Sequence, residues 1–146
     1  MGVIAIIAAL LLEQWRPLAD RKAVFAALAA RLHVINCVAP ALLTAALAAQ
    51  GGEGAVVNLL DQKLANPNPD YFSYSLSKYA LAGATTMMAQ AFAPRVRVNA
   101  VAPGLTLKSG DQSDAEFERV AQMNLLERPV GAENVAAAVL YLLEAP

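Results

Sequence analysis

The chain alternates between short, largely apolar segments and longer stretches in which apolar residues recur at helical spacing. The short segments cover residues 3–7, 55–60 and 96–101, and each contains valine. Segments of this kind are typical of strands that are buried on both faces of a parallel sheet. We therefore predict three strands of a mostly parallel sheet.

Four longer stretches have the periodicity of helices. They cover residues 21–50, 73–91, 114–126 and 133–143, and the first contains one or two helices. Strands that alternate with helices require crossover connections between the strands. The predicted fold class is therefore α/β.

A proline interrupts the first helical stretch. Pro40 has no backbone N–H and cannot donate to the carbonyl of Asn36, four residues earlier. We expect the helix to bend or to be locally irregular near Asn36. Gly51, Gly52 and Gly54 are expected to end it.

The composition fits a single domain over residues 1–146. Apolar residues make up 58% of the chain and charged residues 16%, compared with about 45–50% and about 25% in typical domains. This balance indicates a well-buried interior or additional apolar surface that a partner covers. A net charge of −1 argues against the clustered basic face of a nucleic-acid-binding protein.

Two features favour a cytoplasmic protein that does not associate with membranes. Cys37 is the only cysteine, so no internal disulfide can form and a reducing compartment is expected. The apolar stretch 1–12 is shorter than the ~20 residues of a spanning helix and lacks the basic start of a secretory signal. We expect a buried strand and its turn there, in preference to a targeting segment.

The candidate chemistry centres on Tyr74 and Lys78. Four residues apart on a predicted helix, they lie on one face, one turn from each other. An ammonium beside a phenol stabilises the phenolate, which predicts a pKa for Tyr74 below its usual value of about 10. Such a tyrosine can exchange a proton near neutral pH, as the reduction of a carbonyl requires. Alone, the pair is also common on solvated helix faces.

Asp61 directly follows the second predicted strand. Open α/β sheets bind their ligands at the carboxyl ends of the strands, which is where Asp61 lies. A second interpretation is that its carboxylate caps a turn or accepts backbone N–H bonds, as aspartate often does. Both interpretations stay open at this point.

Four motifs, in this order, resemble the short-chain dehydrogenase/reductase family. They are Asn36 with Pro40, the strand that ends at Asp61, the Tyr74/Lys78 pair, and the segment 97–104, Arg-Val-Asn-Ala-Val-Ala-Pro-Gly. The resemblance runs from about residue 15 to the end of the chain and implies a Rossmann-like, doubly wound parallel sheet. It also implies hydride transfer between a nicotinamide cofactor and a carbonyl, alcohol or imine of a small-molecule substrate.

The same resemblance implies roles for individual residues. Tyr74 is expected to donate the proton, and Lys78 to lower the pKa of Tyr74 and hold the cofactor's ribose. Asn36 is expected to anchor a water molecule that links the lysine to solvent. One turn is expected to cradle the nicotinamide carboxamide with three residues: Pro103, Gly104 and Thr106.

Asp61 departs from the usual pattern of the family. The family carries serine thirteen residues before the tyrosine, and that position is Asp61 here. With Tyr71 three residues before Tyr74, the pattern resembles the family's pteridine, dihydromonapterin and dihydrofolate reductases. A carboxylate can hydrogen-bond the N–H groups of a pterin, whereas serine can only polarise a carbonyl. The resemblance therefore implies a pterin-like substrate at Asp61 and Tyr71, and NADP in preference to NAD.

The family's glycine-rich cofactor motif is missing from this sequence. No G-x-x-x-G-x-G element occurs, and the glycines at 51–54 precede a strand instead of following one. The family's Asn-Asn-Ala-Gly turn is expected near residues 7–10, which contain no carboxamide. We therefore expect a partial Rossmann-like fold without the N-terminal dinucleotide-binding units, and weak binding of NADPH or none by this chain alone.

Two classes of function follow. Either the chain is the catalytic and substrate-binding half of a reductase, or it is an inactive remnant that serves as a binding or assembly module. Both are compatible with a homo-oligomer, a dimer or a tetramer. Ala80, Gly83 and Ala84 leave small residues on the Tyr74 helix, where a second helix can pack closely.

Overall fold

The computed structural model describes residues 29–110 and 112–145. The predicted strand 3–7, the missing turn at 7–10 and the expectation for residues 1–12 lie outside the described residues. The elements, in chain order, are helix α1 (Ala29–Ala49), strand β1 (Gly54–Leu59), a 3₁₀ turn (Gln62–Leu64), helix α2 (Phe72–Phe92), strand β2 (Val96–Val101), helix α3 (Asp114–Gln122) and helix α4 (Ala132–Glu144).

The two described strands pair in parallel and are joined by α2. Their register runs from Gly54 opposite Val96 to Leu59 opposite Val101. Parallel pairing requires a crossover connection, which α2 provides. The predicted strand at 96–101 is confirmed, and the strand predicted at 55–60 begins and ends one residue earlier.

Helices cover both faces of this sheet. Val96 and Val98 are buried and pack with Met88 of α2 and with apolar residues of α1. Side chains alternate across a strand, so Arg97 points to the opposite face. There its guanidinium donates to the carbonyls of Leu142 and Leu143 at the end of α4, both at 2.9 Å. Helices on both faces of a parallel sheet are the doubly wound, Rossmann-type arrangement that the sequence predicts.

The predicted irregularity in α1 is a π-helical turn. It covers Val34–Val38, and the Ala39 N–H donates to the carbonyl of Val34, five residues earlier. Pro40 follows at the start of the regular α-helical part, Ala39–Ala49. The helix then ends, and Gly51 adopts a left-handed φ of 79°, which glycine allows at no steric cost.

Helix α3 is shorter than its predicted span of 114–126. It begins at Asp114, where Ser113 and Glu116 form a capping box. It ends at Gln122, because the chain then enters turns in which the Glu127 N–H donates to the Asn124 carbonyl at 2.8 Å. Glu127 has a left-handed φ of 52°, which a continuing helix cannot contain.

Helix α1 is unusually apolar for a helix with so much exposed surface. It is 21 residues long, its mean hydropathy reaches 1.8, and only 11% of the most apolar window is buried. A spanning helix has this length and composition, and so does a core helix of a soluble protein. One face of α1 packs on the sheet and on α2 through Ala41, Leu47 and Ala48. The absence of membrane association stays a prediction.

Candidate active site

An open cleft lies at the carboxyl ends of the two strands and has a volume of about 680 Å³. The segments that follow β1 and β2 form two of its walls, and the first turns of α2 form a third. Seven residues that the sequence singled out line this cleft: Asp61, Tyr71, Tyr74, Lys78, Pro103, Gly104 and Thr106. They lie together at the carboxyl ends of the strands, the edge at which open α/β sheets bind their ligands.

Asp61 uses its two carboxylate oxygens for different purposes. Oδ1 accepts the backbone N–H of Lys63 at 2.9 Å and so caps the 3₁₀ turn. Oδ2 accepts the hydroxyl of Tyr74 at 2.8 Å. The capping interpretation of Asp61 is therefore confirmed, and the same turn orients the carboxylate that bonds to Tyr74. The interpretation of Asp61 as a ligand-binding residue stays a prediction.

The expectation that the pKa of Tyr74 falls toward neutrality is wrong for the described residues. Partial burial, the hydrogen bond to Asp61 and the negative charge of Asp61 together raise the pKa of Tyr74 to about 12. Each of these disfavours the phenolate, because the anion is desolvated and faces a carboxylate. In this arrangement Tyr74 holds its proton firmly at neutral pH.

Lys78 lies beside Tyr74 but does not bond to its hydroxyl. The Lys78 ammonium donates to the carbonyl of Leu59 at 2.7 Å and lies 5.6 Å from the centroid of the Tyr74 ring. Burial lowers the pKa of Lys78, while the charge of Asp61 opposes that change. The ammonium is thus anchored at the end of β1, within the cleft.

Asn36 is not among the residues that line the cleft, and it contacts α2 through a hydrogen bond to Ser77. Its Nδ2 donates to Ser77 Oγ at 3.1 Å, and Ser77 Oγ donates to the Tyr74 carbonyl at 2.6 Å. The π-helical turn of α1 therefore connects to the backbone of the tyrosine through one fully buried hydroxyl. The predicted water-anchoring role of Asn36 stays a prediction.

Three backbone hydrogen bonds tie the end of β2 and the loop after it to their neighbours. The Leu60 and Gln62 N–H groups donate to the carbonyls of Val101 and Pro103, and the Val130 N–H donates to that of Leu105. Within the loop, Thr106 Oγ1 donates to the Gly104 carbonyl at 2.9 Å. The turn of Pro103, Gly104 and Thr106 is thereby held against the segment that carries Asp61. Its predicted role toward nicotinamide stays a prediction.

Sequence reasoning missed Lys63 and Ser77. Lys63 lies two residues after Asp61 and contacts both Asp61 and Tyr71. Ser77 lies three residues after Tyr74, on the helical face that a donor to the Tyr74 carbonyl requires. Their spacing from the two motif residues could have indicated them, because neighbours at these distances are common capping and back-bonding partners.

The known proteins that this chain resembles are described as reductases or dehydrogenases. A family model described as enoyl-(acyl carrier protein) reductase matches residues 19–145. Human dehydrogenase/reductase SDR family member 4 is 35% identical over 116 residues, which cover 75% of this chain and 42% of that protein. Pteridine reductase 1 from Leishmania tarentolae is 30% identical over 125 residues, covering 78% and 43%.

A solved structure is similar in both sequence and fold. It is FolM alternative dihydrofolate reductase 1 from Brucella suis, in complex with NADP, which is 40% identical and superposes with a TM-score of 0.75. The match covers 79% of this chain and 48% of that one. The chain spans less than half the length of these relatives. With a family model that matches most of its residues, the chain belongs to the short-chain dehydrogenase/reductase family.

Proposed function

We propose that this chain carries the proton-donating and substrate-binding part of an NADPH-dependent reductase that acts on a pterin-like substrate. The observation that carries the proposal is the 2.8 Å hydrogen bond from Tyr74 to Asp61 Oδ2, beside the Lys78 ammonium in the same cleft. The similarity to a pteridine reductase and to an alternative dihydrofolate reductase supports the substrate class.

The residues of the cleft suit the nicotinamide end of NADPH. The Lys78 ammonium can donate to ribose hydroxyls, and the Pro103–Gly104 turn lines the same cleft, where a carboxamide can lie beside it. When bound, NADPH supplies the hydride. Tyr74 supplies the proton that must accompany it, and the Asp61 carboxylate accepts N–H groups of the substrate ring.

Tyr74 is in the protonation state that the reductive direction requires. A proton donor must be protonated before the reaction, and a tyrosine with a pKa of about 12 is fully protonated near neutral pH. The reverse reaction needs the phenolate as base, which is scarce under the same conditions. The reductive rate should therefore show no alkaline decline from Tyr74 below about pH 9.

A direct test is an assay of NADPH oxidation by the protein expressed from its complete gene. A dihydropterin and a simple cyclic ketone are compared as substrates at equal concentrations. The proposal expects the dihydropterin to give the higher kcat/KM. Equal or preferential reduction of the ketone would contradict the pterin-like substrate class, and no NADPH oxidation with either would contradict a reductase.

A second candidate is a binding or assembly module without turnover. The observation that favours it is the sequence itself, which contains no G-x-x-x-G-x-G turn to hold the cofactor's pyrophosphate. We expect the 146-residue chain alone to bind NADPH weakly or not at all. Titration of NADPH fluorescence with the purified chain measures this, and submicromolar affinity would contradict the expectation.

We also propose that the chain forms a homo-oligomer through α1 and α2. Leu42 and Leu43 of α1 are 66% and 72% exposed, and Met87 of α2 is 64% exposed. Gly83 has open space around it, so a second helix can approach closely. Sedimentation velocity is expected to show a dimer or tetramer that the Met87→Glu variant weakens. A monomer at micromolar concentration would contradict the proposal.

A further inference from the structure

The backbone and the side chain of Lys63 bind different partners. Its N–H caps Asp61, but its ammonium donates to Asn68 Oδ1 at 2.8 Å and lies 5.5 Å from the centroid of the Tyr71 ring. Asn68 Oδ1 also accepts the Asp70 N–H at 3.1 Å. One lysine therefore connects the turn after β1 to the start of α2.

Tyr71 is an exposed aromatic residue at a conformationally unusual position. Its backbone adopts the left-handed region, with φ 55° and ψ 39°, which costs a non-glycine residue of order 1 kcal/mol. Its side chain is 75% exposed, and it lines the cleft together with Asp61 and Tyr74. Within the described part of the chain, the Lys63 ammonium lies over this ring.

A cation over an aromatic face restricts where the ring can lie. The ammonium of Lys63 is itself hydrogen-bonded to Asn68, so it favours positions of the Tyr71 ring beside the cleft. A ring in that place offers a flat surface beside the acceptor oxygens of Asp61. Flat heteroaromatic molecules stack on such surfaces, whereas non-planar carbonyl compounds gain little from them.

We propose that Lys63 is a specificity-determining residue, which positions Tyr71 as a stacking surface for a planar heteroaromatic substrate. This inference rests on the proposed function, because it concerns the substrate of the same cleft. Lys63 acts through Tyr71 and affects substrate affinity, while proton donation by Tyr74 is unchanged. The backbone bond from Lys63 to Asp61 does not depend on its side chain, so substitutions at Lys63 leave that bond in place.

The test is a double-mutant cycle on the binding of pterin, measured by quenching of pterin fluorescence without NADPH. Lys63→Met removes the ammonium but keeps the aliphatic stem, and it is expected to weaken binding about two- to fivefold. Lys63→Arg keeps a cation and should restore affinity. Tyr71→Leu should weaken binding about tenfold, and adding Lys63→Met to Tyr71→Leu should change nothing further.

Each alternative outcome overturns the inference. Unchanged affinity in Lys63→Met shows that the ammonium does not position the ring, and an undiminished effect in the Tyr71→Leu background shows that Lys63 acts independently of Tyr71. Absence of pterin binding by the wild-type chain shows that Tyr71 is not a stacking surface for such a ligand. Because the titration uses no NADPH, these results are distinguishable from a failure of the proposed reductase activity, which the oxidation assay measures separately.

Discussion

Replacement of Tyr74 by phenylalanine is expected to lower kcat for the reduction of a dihydropterin by about 100- to 10,000-fold, the usual contribution of a positioned general acid. The variant keeps the ring and loses only the hydroxyl that bonds to Asp61 Oδ2 at 2.8 Å. The affinity for NADPH should be nearly unchanged, because the Lys78 ammonium is held by the Leu59 carbonyl and not by Tyr74.

The matched control is Tyr141→Phe, which removes the same group from an exposed tyrosine on α4, at 70% exposure. It should retain the wild-type kcat. The measurement is steady-state NADPH oxidation by the protein expressed from its complete gene. If the Tyr74→Phe variant keeps more than about one tenth of the wild-type kcat, Tyr74 is not the proton donor.

The second large effect is expected at Asp61. A carboxylate accepts the Lys63 N–H with one oxygen and the Tyr74 hydroxyl with the other, whereas an amide has a single acceptor oxygen. Asp61→Asn must therefore give up one of the two bonds and also loses the charge that recognises N–H groups of the substrate. We expect kcat/KM for a dihydropterin to fall about 10- to 100-fold, as for loss of a hydrogen bond to a charged group.

Asp61→Ser separates recognition of the substrate from general damage to the cleft. Serine is the residue that most of the family carries at this position, and it can cap the 3₁₀ turn. The variant should lose activity toward the dihydropterin as Asp61→Asn does, but should keep or gain activity toward a simple ketone. Parallel losses toward both substrates would contradict a role for Asp61 in choosing the substrate.

The secondary structure near the site follows from local patterns. Valine-rich segments predicted β1 and β2 to within one residue, and the helical periodicity of 73–91 predicted α2, which runs Phe72–Phe92. Pro40 predicted the irregularity at Val34–Val38. These features depend on interactions within a few residues, which a sequence displays directly.

The electrostatics of the site could not be predicted in the same way. Spacing on a helix placed Lys78 beside Tyr74, but it could not show that the ammonium points to Leu59 while the hydroxyl points to Asp61. The pKa of Tyr74 depends on these directions and on burial, which are tertiary properties. The contact between Lys63 and Tyr71 was missed for the same reason, since it joins a turn to a helix across a loop.

Asp61, more than Lys78, is expected to control the proton of Tyr74. The phenolate absorbance of the 146-residue chain at about pH 10.5 measures this control, because an ordinary tyrosine is more than half ionised at that pH. The signal of Tyr74 is the difference between the wild type and Tyr74→Phe, and circular dichroism reports whether both remain folded. With a pKa of about 12, Tyr74 should remain protonated in the wild type and ionise more in Asp61→Asn. A Tyr74 that is mostly phenolate at this pH in the folded wild type would contradict control by Asp61 and show that the ammonium of Lys78 dominates.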